Sequence, residues 1–181
     1  MNWLSNPAVL VFAKMFLALV LVAAAVPKLR HPDEFLGVVA NYRILPSALV
    51  APFAALLPWI ELACAAALFI PATSVLAAGV AAGLCASFAL ALAINIARGR
   101  THIDCGCLRR PASKSRIGSF HVARALGLVG IALFIAGTGK ATGEASFGSL
   151  TLGVVAALML VLIYLVADLM TGLPDARARK H

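Results

Sequence analysis

Long apolar runs alternate with short polar segments along the chain, and five of them fall at residues 8–27, 49–70, 75–97, 117–137 and 150–170. A helix needs about 20 apolar residues to cross about 30 Å of hydrocarbon, so each run is long enough to span a bilayer. The pattern predicts an all-α polytopic membrane bundle of about five transmembrane helices, or four if the 117–137 run is only interfacial. Residues 1–181 read as one transmembrane domain. Pro71-Ala72-Thr73-Ser74 makes a tight hairpin between the second and third runs, its proline helping to stop the helix. Gly137, Gly139, Gly143 and Gly148 mark the connection between the fourth and fifth.

The segment between the first two runs has its own pattern. Pro32-Asp33-Glu34 is a helix start, because proline suits the first turn and acids favour its positive dipole end. Phe35, Val38, Val39 and Tyr42 follow at helical spacing, which predicts a short amphipathic helix at about 32–42 on the membrane surface.

Composition strengthens the membrane assignment. Hydrophobic residues make up 62% of the 181 positions and charged residues only 12%, too little polar surface to cover a soluble domain. The first residues, MNWLSNP, lack the positive start of a cleavable signal peptide, so the first run is expected to stay as a helix. Lys and Arg total 15 against 7 Asp and Glu. No basic stripe with interleaved aromatics accompanies that excess, so its partner is the lipid bilayer and not nucleic acid. With five spans, the 28–48 segment, the 98–116 loop and the C-terminal tail lie on one side, carrying 3, 6 and 3 basic residues. The opposite side has only Lys140. The positive-inside rule then places the N-terminus outside and the basic loops and the C-terminus in the cytoplasm of a multi-pass protein.

The candidate chemistry sits in the 98–116 loop, at His102, Asp104, Cys105-Gly106-Cys107 and Arg109-Arg110. Two cysteines one residue apart can close a small strained ring, and the glycine removes obstruction to the tight turn. A strained disulfide passes oxidising equivalents on readily, and nearby arginines favour the thiolate that attacks in exchange. Cys105 and Cys107 are therefore the candidate redox pair, with Asp104 in support. A soft metal held with His102 and Asp104 is the rival; one cysteine pair and one histidine do not make a closed tetrahedral site, so no metal is assigned. Two incidental loop cysteines are the bland alternative.

Charges inside the spans form a second set. Lys14 and Glu61, counted from the same end of the first two spans, lie at comparable depth and are expected to form an intramembrane ion pair. The functional alternative is a proton or quinone site at Glu61, helped by Trp59 and the helix break at Pro58. Arg124 has Asp168 as its expected partner, and His121, one turn earlier, is read as a satisfied core or interface histidine. Cys64 and Cys85 fall at similar depth on adjacent helices and can be packing residues or a relay to the loop pair. Gly79 and Gly83, extended by alanines, predict close helix packing.

Several motifs occur together in order: Lys28, His31-Pro32-Asp33-Glu34-Phe35, Tyr42-Arg43-Ile44-Leu45-Pro46, Pro58-Trp59-Ile60-Glu61 and Asp104-Cys105-Gly106-Cys107. On these residues, across 28–107, the chain resembles the MauE family of methylamine-utilisation membrane proteins, within the wider DoxX-like group. Two features depart from that family's pattern: Leu108-Arg109-Arg110 stands where an aromatic and a glycine commonly follow, and Ala125 stands where an asparagine often follows the arginine. The resemblance implies maturation of the disulfide-rich beta (small) subunit of methylamine dehydrogenase, through its disulfide formation, processing or transport. It also implies a thioredoxin-like partner protein, and that the membrane is the bacterial inner membrane. Such a protein is an accessory factor with thiol–disulfide activity rather than a conventional enzyme, and a quinone is the candidate electron acceptor. The alternatives are a non-redox membrane scaffold for the thioredoxin-like partner and a general DoxX-like thiol- or quinone-linked oxidoreductase component. A small-molecule transporter would need a polar pathway, for which the spans offer Lys14, Glu61, Arg124 and Asn95.

Overall fold

A computed structural model of the chain describes residues 6–101, 117–138 and 147–170, apart from the side chains of residues 149 and 167–170. The described residues form six helices and no strand: α1 (Pro7–Arg30), α2 (Pro32–Tyr42), α3 (Ser47–Ala67), α4 (Ser74–Ala97), α5 (Ser119–Thr138) and α6 (Phe147–Met170). Helices α1, α3, α4 and α5 are each long and apolar enough to cross a membrane. Helix α6 has 24 residues, of which Leu150–Val166 form its described apolar stretch. Lys140, Gly139, Gly143 and the basic tail lie outside the described residues.

Local chemistry sets the ends of these helices. The Asn6 side chain accepts from the Ala8 amide at 3.0 Å, satisfying one of the donors left open at the start of α1. The helix then continues through Pro27 to Arg30, so Lys28 is a helical residue and not the first residue of a loop. Proline does not end α1 there, because membrane helices tolerate it where neighbours make good the lost backbone bond. After α3, the chain turns at Leu68–Thr73, and Thr73 Oγ1 donates to the Ala67 carbonyl at 3.0 Å.

The core is built mainly from small side chains. Ala77, Ala78, Ala81 and Ala82 of α4 bury one stripe against Leu17 and Leu21 of α1, Cys64, Ala65 and Leu68 from the α3 end, and Ala132 and Ile135 of α5. Small residues let helix backbones approach closely where no water drives the helices together. The expected role of Gly79 and Gly83 changes: both are exposed, and a Cβ at either position would meet nothing within 4 Å. The alanines beside them supply the packing face. The close approach occurs elsewhere, at Gly153 of α6, where a Cβ would lie 3.0 Å from Val11 Cγ1 and 3.1 Å from the Ala8 carbonyl oxygen. Leu152, Val155, Met159, Leu162 and Ile163 on α6 are exposed, the surface expected of a helix that meets acyl chains.

Helix α2 starts and stops where its sequence predicts, with Pro32 in the first turn, Asp33 and Glu34 behind it, and Arg43 as the C-cap. Its apolar face is covered by protein. Phe35 and Val39 pack with Ala54 and Leu57 of α3, and Tyr42 joins Leu92 of α4 and Ile117 in a separate cluster.

The glycine environments predict opposite outcomes for one kind of substitution. Gly153→Val forces α1 and α6 apart and should lower the melting temperature of the detergent-purified protein. Gly79→Ala, into open space, should leave it unchanged or raise stability by up to about 1 kcal/mol through helix propensity.

Candidate functional site

The first line of the site is an ion pair on α1 and α3. Lys28 Nζ is joined to Glu61 Oε1, and the two residues are 5% and 7% exposed. Lys28 Nζ also lies 5.2 Å from the centroid of the Phe35 ring on α2, a cation–π distance. One ammonium thus connects three helices. The second carboxylate oxygen, Glu61 Oε2, is buried without a hydrogen-bond partner among the described residues.

This pairing corrects the expected one between Lys14 and Glu61. Residues 14 and 28 lie near one face of α1, because their separation is close to four whole turns, but they differ in depth by about 21 Å. A lysine side chain is far too short to bridge that difference. Taking each span to begin and end at the same membrane levels put Lys14 beside Glu61. In the structure α3 is staggered along α1, and Glu61 lies level with the last turns of that helix. Lys14 remains half-buried on α1.

The pair borders a cavity of about 270 Å³ between the helices. Its walls are mostly apolar, formed by residues such as Val20, Val39, Leu57, Leu84 and Phe88. Cys85, His121, Arg124 and Tyr164 also line it. His121 is buried and its Nδ1 accepts from the Gly118 amide at 3.3 Å, in keeping with a core histidine. Arg124 lies over the Tyr164 ring, 4.8 Å from its centroid; the side chain of its expected partner, Asp168, lies outside the described residues. Trp59 is 61% exposed and faces away from Glu61, so it does not help to build a site there.

Cys64 and Cys85 are free thiols in different surroundings. Cys64 belongs to the packed core, whereas Cys85 borders the cavity. Asn95 is buried in α4, donating from Nδ2 to the Ala91 carbonyl at 3.0 Å. Of the four polar residues named for a transport path, only Glu61 and Arg124 line the cavity.

Asp104, Cys105 and Cys107, with His102, Arg109 and Arg110, lie outside the described residues. The two residues flanking segment 102–116 are joined: the Ile117 amide donates to the Thr101 carbonyl at 2.9 Å. That point sits on the Tyr42, Leu92 and Ile117 cluster, and Tyr42 is also a wall of the cavity. Among the described residues, no group of three His, Cys, Asp or Glu could hold a metal ion.

Sequence reasoning missed Lys28 as the partner of Glu61. A signal was present: Leu17, Leu21 and Ala25 are buried at helical spacing, and Lys28 is the next position on that face. Ending the span at Pro27 hid it. Removing one member of a buried pair leaves an uncompensated charge, at a cost of about 3–5 kcal/mol. Lys28→Met and Glu61→Gln should therefore each strongly lower the melting temperature, and the double variant should be more stable than either single one. Lys14→Met should have little effect, which melting of the same series checks directly.

Comparison with known proteins fits these features. The chain matches the family described as methylamine utilisation protein MauE over residues 6–138. It is 57% identical over 180 residues to the methylamine utilization protein MauE of Methylophilus methylotrophus, covering 99% of this chain and 93% of that protein. The protein of the same name from Methylorubrum extorquens is 44% identical over 173 residues, with 96% and 92% covered. That of Paracoccus denitrificans is 44% identical over 176 residues, with 97% and 94% covered. No solved structure matches the chain. The family match runs from α1 through α5, and the identity to these relatives extends over nearly the whole chain, so the protein belongs to the MauE family.

Proposed function

We propose that the protein is an integral membrane factor of methylamine utilisation that supports maturation of the methylamine dehydrogenase beta subunit by thiol–disulfide exchange at Cys105 and Cys107. The observation that carries the methylamine assignment is near-full-length identity to relatives bearing that name. The cysteine pair supports the chemistry, and the Thr101–Ile117 backbone bond joins the two residues that flank its segment. In the exchange, a thiolate of the thioredoxin-like partner attacks the Cys105–Cys107 disulfide and forms a mixed disulfide. The partner's second thiol resolves it, so the partner ends oxidised by two electrons and the loop ends as two thiols carrying the two protons. A membrane quinone is the class of acceptor that restores the loop disulfide, taking up those two electrons and two protons as it becomes the quinol. Asp104 supports the pair by position.

The non-redox alternative, a scaffold that holds the thioredoxin-like partner at the inner membrane, makes a different prediction. Under the redox reading, Cys105→Ser with Cys107→Ser abolishes accumulation of active, disulfide-bonded beta subunit while the variant itself still reaches the membrane. Normal accumulation would remove the redox reading and leave the scaffold. The charge bias places segment 98–116 in the cytoplasm, so in intact cells a membrane-impermeant thiol reagent should label Cys105 and Cys107 only after lysis. Labelling from outside would reverse the orientation.

A further inference from the structure

Three arginines meet at the C-terminal end of α2. Arg43 caps that helix in the left-handed conformation, with φ 48° and ψ 41°. Arg98 and Arg100, from the end of α4, reach across to it. Arg98 Nη1 donates to the Arg43 carbonyl, and Arg100 Nη1 donates to the Asn41 carbonyl, each at 3.4 Å. Among the described residues, no carboxylate is paired with any of the three. Each guanidinium carries five N–H donors, so one backbone contact leaves most of those of Arg98 and Arg100 available. Cations brought to one corner of the bundle attract an anion there.

The cavity lies next to this corner, although none of the three arginines is itself part of its wall. Tyr42, Ile44 and Leu45, on either side of Arg43, line it, and so does Ala91 on α4. Most of its wall is hydrocarbon-like, with Val20, Leu84 and Phe88 among the residues. Cations beside an apolar cavity match an amphiphile with an anionic head and an acyl tail. Arginine suits such a head because its planar fork can bond two phosphate oxygens at once.

We propose that the cavity seats an acyl chain of one anionic phospholipid, whose headgroup phosphate is held by Arg43, Arg98 and Arg100. The surrounding bilayer supplies the ligand. The site requires nothing of the cysteine pair and stands or falls separately from the redox reading. Bound there, the lipid ties the end of α2 to the end of α4, directly beside the point where segment 102–116 leaves and rejoins the bundle.

The test uses the full-length protein in neutral detergent, titrated with phosphatidylglycerol, with phosphatidylcholine of the same chains, and with glycerol 3-phosphate. Retained lipid is counted by native mass spectrometry, and stability is followed by melting. Phosphatidylglycerol should bind saturably and raise the melting temperature, phosphatidylcholine should bind more weakly, and glycerol 3-phosphate, having no tail, should do neither. Replacing Arg43, Arg98 and Arg100 by Gln should cost about fivefold in phosphatidylglycerol affinity for each arginine removed. Replacing them by Lys should preserve most of the preference. Ala91→Phe should weaken both lipids by taking up space in the cavity. Arg98→Gln alone, a change at an exposed side chain, gives the same readout if the triple variant fails to fold. Equal binding of the two lipids, or an unchanged preference in the Gln variants, would overturn the proposal. Glycerol 3-phosphate binding as tightly as phosphatidylglycerol would also overturn it, by showing a plain anion site.

Discussion

The arrangement of α1, α2 and α3 depends on one buried ion pair, Lys28 with Glu61. An unpaired charge in hydrocarbon is costly, so a carboxylate within α3 and an ammonium near the end of α1 must meet or leave the apolar phase. Meeting fixes how far α3 slides along α1. The same ammonium lies over the Phe35 ring and so brings α2 to the pair. Because one nitrogen serves two helices besides its own, neither helix can shift without exposing a charge. Glu61 Oε2, without a hydrogen-bond partner among the described residues, leaves the pair incompletely satisfied there. Buried pairs of this kind are weak sources of net stability and stronger determinants of position.

The stagger has a structural consequence. With α3 displaced along α1, the first half of α3 would present Ala54 and Leu57 without a neighbour, and α2 folds back to cover them. The amphipathic pattern of residues 32–42 therefore serves the protein interior and not only the interface. Where α4 presents alanines, the helices close on one another; toward Phe35, Phe53 and Phe88 large side chains hold them apart, and the cavity lies there. Packing by small residues at one level and spacing by aromatic ones at another is how one apolar bundle contains both a tight core and an opening.

Much of this was legible in the sequence, and the limits have physical causes. Runs of about 20 apolar residues are dictated by bilayer thickness, so helix positions followed directly from composition along the chain. The α2 boundaries followed from proline and acids at its start. The face of α1 that carries both Lys14 and Lys28 was legible too, since helical periodicity fixes direction around the axis. Depth along the axis was not, because hydropathy does not report how far one helix slides past another. That unknown, together with ending the first span at Pro27, chose Lys14 over Lys28. The Gly79 and Gly83 pattern misled for a related reason: small residues permit close approach, but which small face is used depends on the neighbours that arrive. Cys85, His121 and Arg124 were each legible as polar residues within spans, whereas their convergence on one cavity is a property of tertiary packing alone.

The ion pair also alters how the charge bias is understood. A count of loop cations treats every Lys and Arg near a span end as equivalent, solvated charge. Lys28 is not of that kind: it is buried and neutralised by Glu61, so its segment contributes only Arg30 and Arg43 to the bias. Arg98 and Arg100 remain cationic but are turned onto the end of α2, beside Arg43. Among the described residues, three cations of that side therefore share one corner of the bundle, where α2 and α4 end and from which the cysteine-bearing segment departs. Cations placed there attract anionic partners to the corner from which segment 102–116 departs, in whichever compartment that face lies.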